Sequence, residues 1–565
     1  MLACRILLAL ALLWNAAPLA TAKHAMVVTE QHYATQVGVD VLRRGGNAVD
    51  AAIAVAYALA VVDPCCGNIG GGGFLLVRMS DGRERFIDFR EKAPLRATRR
   101  MFLDQTGNVI PHASTKGYLA IGVPGTVMGL ERAREEFGTM PRRTLIAPAI
   151  HLAQNGFIIE PGDVANFTDE IAEGYSGPYT FENQANVREI FMRKGRLPRA
   201  GDLLKQPQLA KTLQSISNGG VKAFYEGPIA ETIVRETDDN GGMLSLEDFK
   251  RYDVDERPPI HCSYRGYDVI SVPPPSSGGI TLCEMLNILA PYPFATWGWD
   301  APQSVHYTIE AERRAYADRN TYLGDPAFVQ NPVSELLSLR YADTLRASIL
   351  PDKATPSAQV KPGLGPVVQE NNDTTHFSIV DRFGNAVALT YTLNDLFGAG
   401  VMAGDTGFFL NDEMDDFTSK PGVPNLFDLV QGIRNDVEPG KRPLSSMTPT
   451  ILTKKGKLFM VTGSRGGSRI TTTVLANIQN VIDFGMNVQQ AVNAPRVHMQ
   501  WLPDQIDYEP GALDNAAMAA LRAMGYSFKE ISYWGSAQAI TIDPQTGTLY
   551  GGTDRRHPAG RAAGY

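Results

Sequence analysis

The chain lacks most of the features that announce a function class. Its 565 residues include five cysteines, too few for a disulfide framework to set the fold. Cys65 and Cys66 are adjacent and would bridge each other only with strain, so they, Cys262 and Cys283 read as free or singly paired thiols. The nine histidines form no His-Glu-x-x-His and no Cys–His cluster, which leaves no zinc-like spacing. No metal and no cofactor is expected. Lys and Arg total 53 against 60 Asp and Glu, for a net charge of −7, and the basic residues are scattered. Such a balance recruits neither nucleic acid nor an anionic membrane. The run Gly70–Gly73 has no Gly-Lys-Ser/Thr ending and no strand–turn–helix setting, which argues against a phosphate or dinucleotide loop.

Long apolar runs are also scarce. Ile6–Trp14 follows Arg5 and precedes Ala20-Thr21-Ala22, the layout of a secretory signal over residues 1–22. It is too short to serve as a permanent membrane span. Ala48–Val62 carries Asp50 and reads as a helix buried between layers. The expected product is periplasmic or secreted, with no membrane anchor after signal removal.

What remains is an ordinary globular mix, 44% hydrophobic and 20% charged, able to bury a large core. Helical patterns run over Ala34–Arg44, Ala48–Ala60, Gly125–Phe137, Ile146–Asn155 and Gln303–Tyr322. Asn47 is the predicted N-cap of the second, with Asp50 at its third position. Phe74–Met79 and Glu84–Phe89 alternate as strands, and a strand pair near Ile260–Val272 leads into Pro273–Gly279. Asp352–Pro366 is Pro-, Lys- and Gly-rich without periodicity, which predicts an exposed, poorly ordered segment. From Thr374 onward short strands and turns dominate. The junction at 373/374 therefore falls inside one interleaved α+β body.

That junction reads Asp373-Thr374-Thr375-His376. A threonine hydroxyl is a weak nucleophile, but a backbone cut before Thr374 would free an α-amine able to take its proton. The predicted hairpin Thr374–Val380, loop 381–385, Ala386–Asn394 pairs Val380 with Ala386. Counting outward sets Thr374 opposite Thr392, where same-face Cβ atoms lie about 5 Å apart, and Thr392 Oγ1 would hydrogen-bond the nucleophile. A slip of one residue would separate the two faces.

The sequence Asn411–Phe417 is acidic, Arg442–Met447 holds Ser445-Ser446, and Gly463–Ser468 holds Gly466-Gly467. Together with Gly-Gly-Asn-Ala-Val-Asp (45–50), Asp-Phe-Arg-Glu (88–91), Pro-Pro-Pro-Ser-Ser-Gly-Gly (273–279), Thr-Tyr-Thr-Leu-Asn (390–394) and Ala-Gly-Tyr (563–565), these segments resemble the bacterial γ-glutamyltransferases over residues 24–565. The resemblance implies a four-layer αββα sandwich of the N-terminal nucleophile hydrolase type, an α+β fold made as one precursor. It also implies self-cleavage at Asp373–Thr374 into a large subunit (23–373) and a small one (374–565) that stay together as a heterodimer.

The activity implied is cleavage of the γ-glutamyl amide of glutathione and related compounds through an ester on Thr374. Water, an amino acid or a dipeptide then resolves the ester. By the same resemblance Arg90, Ser445 and Ser446 hold the donor α-carboxylate, a task that suits a planar guanidinium. Glu413 and Asp416 hold the α-ammonium, Asn394 fixes the same end, and Thr392 assists Thr374. The N–H groups of Gly466 and Gly467 form the oxyanion hole. His376 is expected to be structural, since the α-amine already serves as base.

Arg465 stands where relatives commonly carry proline, and Phe427 where many carry tyrosine in a covering lid, which bears on acceptor preference. Two rivals are a glutaryl or cephalosporin acylase of the same fold and a non-catalytic binding protein for γ-glutamyl peptides.

Overall fold

A computed structural model of the chain describes residues 19–172, 175–192, 195–362, 373–420 and 432–565. The expectations for residues 1–18 and for Phe427 lie outside these. Alternation of period two builds two antiparallel seven-stranded sheets. The first runs, edge to edge, Arg561–Gly564, Met26–Thr29, Asp373–Val380, Ala386–Asn394, Gly72–Arg78, Glu84–Asp88 and Asp255–Arg257. The second runs Ala20–Ala22, Leu549–Thr553, Ser536–Ile542, Lys457–Arg465, Thr450–Lys454, Tyr267–Ser271 and Ile260–Tyr264. The motif read as a signal cleavage site thus forms the edge strand Ala20–Ala22, paired with residues 549–551.

Even-numbered side chains of the central strands, among them Val380, Ala386, Ala388, Phe74 and Leu76, meet Ile270, Ile451, Val461 and Ile540 of the opposite sheet. Odd-numbered ones, including Phe377, Ile379, Leu389 and Leu75, face the helices Ala48–Val62 and Thr126–Phe137. Helices Gly278–Leu289, Pro302–Tyr322 and Arg469–Ile482 cover the other outer face. The result is the four-layer αββα arrangement. Asn47 caps Ala48–Val62 in a reciprocal box with Asp50, and every residue of that helix is buried.

Of the two alternatives left for the cysteines, free or singly paired, the structure has the second: it joins Cys65 to Cys66 and Cys262 to Cys283. The second bridge ties the edge strand Ile260–Tyr264 to the helix Gly278–Leu289. The described part of 352–366 is not exposed throughout: Ala354, Ser357 and Val360 are buried. Trp501 Nε1 donates to the carbonyls of Ser357 and Val360 (2.9 and 3.2 Å), and the Ser357 N–H donates to Asp504. Long-range partners replace the periodicity that the segment lacks.

Candidate active site

The hairpin pairs as its loop length requires, Val380 opposite Ala386 and so down to Thr375 opposite Tyr391. There the ladder shifts by one residue, and Asp373 lies opposite Asn394. Thr374 occupies this irregularity, at the start of a central strand of the first sheet. Its side chain is 2% exposed, and Oγ1 has no hydrogen-bond partner. The expected Thr392–Thr374 hydrogen bond is therefore not made. Thr392 Oγ1 instead accepts from the Asn394 N–H (2.8 Å), because the shift breaks the register that would have aligned the two hydroxyls.

Two close approaches hold the Thr392 backbone. Asn68 Nδ2 donates to the Thr392 carbonyl (2.8 Å), and a Cβ on Gly71 would lie 1.9 Å from that same oxygen. Glycine at 71 is a packing requirement here, not a phosphate cradle. Asn394 adopts φ 86°, and its Nδ2 donates to the Asp412 carbonyl and carboxylate (3.2 and 3.1 Å). Its Oδ1 has no partner.

Arg90 follows the strand Glu84–Asp88 and is fully buried. It does not stand apart from the predicted ammonium-binding acids. Nη1 lies 2.5 Å from Glu413 Oε1, and Nη2 pairs with Asp416. Nε donates to the Pro443 carbonyl and Nη2 to that of Leu444, both at 3.3 Å, so Arg90 also reaches the Ser445-Ser446 segment. Glu91 is a third buried carboxylate, 3.8 Å from Arg90. Burial raises the Glu413 and Asp416 carboxyls, and Arg90 pulls both back. Burial by itself would lower Arg90, but Glu413 and Asp416 outweigh it and hold the guanidinium above its usual value.

Ser445 and Ser446 are clamped by the proline-rich segment. The Ser445 N–H donates to the Pro275 carbonyl (2.8 Å), and the Ser277 N–H and hydroxyl donate to the Ser445 carbonyl (2.7 and 2.6 Å). The Ser446 hydroxyl accepts from Arg319 Nη2 (2.8 Å), whose Nε donates to Ser277 Oγ. Sequence reasoning missed Arg319, which burial brings down to about 10. It also missed Asn411, which donates to the carbonyls of Gly70 and Gly122 and accepts from the Glu413 N–H. Asn435 Nδ2, likewise unforeseen, donates to the Asp416 carbonyl (2.6 Å). The Asn that opens the segment 411–417 was the one available signal.

Gly466 and Gly467 adopt φ 127° and 62°, between the strand Lys457–Arg465 and the helix Arg469–Ile482. A Cβ on Gly466 would lie 2.9 Å from Gly535 Cα. The carbonyls of both glycines accept from the first N–H groups of the helix, at Arg469 and Ile470. This turns their peptide units against a helix N-terminus, a setting that favours negative charge. Ser468 donates to Gln500 Oε1 (2.7 Å), and Tyr316 donates to the Ser468 carbonyl.

His376 is buried, within hydrogen-bond reach of Thr390 (2.8 Å) and Ser378 (3.1 Å), and burial lowers its ring to about 3. A neutral imidazole packed against Gly463 fits the structural part expected of it. Among the described residues, one group with metal-ligand proximity occurs, Asp63, Cys65 and Cys66, but its two sulfurs are bonded to each other.

The gamma-glutamyltranspeptidase family model matches residues 34–564. A glutathione hydrolase proenzyme of Pseudomonas sp. (strain A14) is 52% identical over 96% of this chain and 95% of its own length. The Escherichia coli (strain K12) glutathione hydrolase proenzyme is 48% identical over 96% and 92%. Among solved structures, a cephalosporin acylase from Bacillus halodurans superposes with a TM-score of 0.84 at 29% identity, covering 98% of this chain and 97% of that one. With a match that spans nearly the whole sequence, the chain belongs to the gamma-glutamyltranspeptidase family.

Proposed function

We propose that the chain is a γ-glutamyltransferase and glutathione hydrolase whose nucleophile is Thr374, exposed by cleavage of the Asp373–Thr374 bond. The large and small subunits, 23–373 and 374–565, stay joined because each of the two sheets contains strands of both. The freed α-amine takes the Thr374 proton, and Oγ1 attacks the γ-carbonyl of the donor. The tetrahedral oxyanion is received by the Gly466 and Gly467 N–H groups, and its collapse releases the leaving amine. Water or an acceptor amine then attacks the ester and regenerates Thr374. Export to the periplasm or medium, and amino acids or dipeptides as acceptors, complete the reading.

The observation that carries it is the setting of Thr374: a buried hydroxyl without a hydrogen-bond partner, at the first turn of a central strand whose neighbour leads through Asn394 to the acidic segment. The contact of Arg90 with Glu413 and Asp416 suits an α-amino acid end. A bound carboxylate would pair with Arg90 and a bound ammonium with the two acids, which replaces one buried ion cluster by two matched pairs. Thr392 and Asn394 position the nucleophile and donor, and Ser445 and Ser446 add donors for the carboxylate.

The resemblance to a solved cephalosporin acylase keeps a second reading in play, a glutaryl-type acylase. Such an enzyme has no ammonium to satisfy, whereas Glu413 and Asp416 are fully buried beside Arg90. Turnover of γ-glutamyl-anilide should exceed that of glutaryl-anilide by at least ~10²-fold, the usual worth of a buried charge pair; equal rates favour the acylase. The nucleophile is tested with Thr374→Ala, which should leave one uncut chain and no turnover. Processing and activity at wild-type level in that variant would refute the assignment and favour a different nucleophile.

A further inference from the structure

The last residue of the strand Lys457–Arg465 is joined to Gly466 through the peptide unit that carries the Gly466 N–H. Whatever fixes Arg465 therefore aims one of the two assigned oxyanion donors. The Arg465 side chain does not run into solvent. Its Nε lies 3.4 Å from Glu30 Oε2, and Nη1 lies 3.5 Å from Cys66 Sγ. Glu30 is completely buried.

Glu30 directly follows the strand Met26–Thr29, which pairs with the nucleophile strand as Val28 opposite Ser378 and Met26 opposite Val380. One more step in that register sets Glu30 beside His376, two residues after Thr374. On its other side, the Cys66 carbonyl and the Thr392 carbonyl share the Asn68 side-chain amide (3.1 and 2.8 Å). Arg465 thus links the loop of the second sheet to the nucleophile strand and to the Thr392 segment of the first.

We propose that Arg465 and Glu30 are positioning residues for γ-glutamyl transfer: their buried contact spans the two sheets and sets the separation between Thr374 and the Gly466 N–H. A gap between sheets is otherwise held by non-directional packing, which tolerates shifts of a few tenths of an ångström. A directed contact at the donor's own peptide narrows that freedom. Burial pushes the Glu30 carboxyl well above the usual carboxylate range, and Arg465 is the largest influence pulling it back, with Asp63 and Asp554 opposing. Removing Arg465 therefore leaves the buried Glu30 carboxyl poorly satisfied.

The proposal rests on the reading of Gly466 as an oxyanion donor, and the two can fail separately. Gly466→Ala tests that reading alone: it should abolish turnover, since φ 127° and the approach to Gly535 exclude a Cβ. For the pair, Arg465→Met and Glu30→Gln should each lower kcat by roughly 10- to 100-fold, the range for a misplaced reacting group. KM for a γ-glutamyl-anilide should stay within about twofold, as expected when an interaction made in the transition state is lost. The double variant should be no worse than the more severe single one.

A phosphonate or boronate that mimics the tetrahedral adduct should bind the processed Arg465→Met enzyme more weakly by the same factor, while glutamate binds unchanged. If Arg465→Met fails to mature, Arg465→Lys keeps a cation near Glu30 and should retain more than a third of kcat. Unchanged kcat in the Met and Gln variants, additive losses, or a loss confined to KM would overturn the proposal. Full turnover in Gly466→Ala would instead remove its premise.

Discussion

Two buried ion clusters in this chain look alike in composition and differ in how they are satisfied. Near the C-terminus, the Arg496 and Arg556 guanidiniums both pair with Asp554, Arg556 also pairs with Glu509, and the Arg496 backbone N–H donates to Glu509, two cations for two carboxylates. Arg496 also donates to the Trp534 and Val492 carbonyls, and Arg556 to those of Val492 and Ala494. Around Arg90, one guanidinium faces Glu91, Glu413 and Asp416. Glu413 lies 2.5 Å from Arg90 and shares its burial with Glu91 and Asp416, three carboxyls for one guanidinium. A balanced, fully bonded cluster fixes a fold. On the proposed function, the acid-rich one receives a group that brings its own ammonium and carboxylate.

The contrast can be broken from either side. Arg556→Met should cost about 3–5 kcal/mol of stability, because Glu509 loses its paired guanidinium and Asp554 is left with Arg496 as its one paired cation. The kcat of the fraction that remains folded should be near wild type; chemical denaturation and active-site titration read the two quantities. Asp416→Asn should do the reverse, lowering kcat/KM for γ-glutamyl-anilide by ~10²–10³ with a much smaller loss of stability. If Asp416→Asn unfolds the protein as severely as Arg556→Met, the distinction between the clusters fails.

A smaller effect sharpens the comparison with a buried acid that Arg465 only partly offsets. Asp63, at the end of the helix Ala48–Val62, accepts from the Thr375 hydroxyl (3.4 Å), and burial raises it to about 6. A carboxyl raised on folding binds more protons in the native state between its unfolded value near 4 and its folded value. Wild-type stability should therefore fall as pH rises from about 4 through 6, by up to roughly 2–3 kcal/mol. Asp63→Asn should flatten that window and change little below pH 4. A parallel pH profile for the two proteins would count against a raised Asp63.

Much of this was legible beforehand. Loop length and period two gave the pairing of Val380 with Ala386, and a cap with an apolar run gave the helix Ala48–Val62. The shift at Thr374 was not legible, since alternation carries no mark for a one-residue irregularity, and the Thr392 contact was misjudged for that reason. The helix Pro302–Tyr322 hid a site residue differently. It carries Glu310, Glu312, Arg313, Arg314, Asp318 and Arg319, all charged and all buried. Their partners, including Ser348, Ser446 and Asp504, lie far along the chain. Arg319 could not be singled out without those partners. The cysteine pairs were opaque for the same reason, since which thiols meet is a property of tertiary contact.

The central claim is that catalysis begins with a broken peptide bond. Intact-mass analysis of the purified, active enzyme, with N-terminal sequencing of its smaller component, addresses this directly. The account predicts two polypeptides, the smaller beginning with a free amine on Thr374. Full turnover from a preparation whose polypeptide runs unbroken from Asp373 into Thr374 would contradict it.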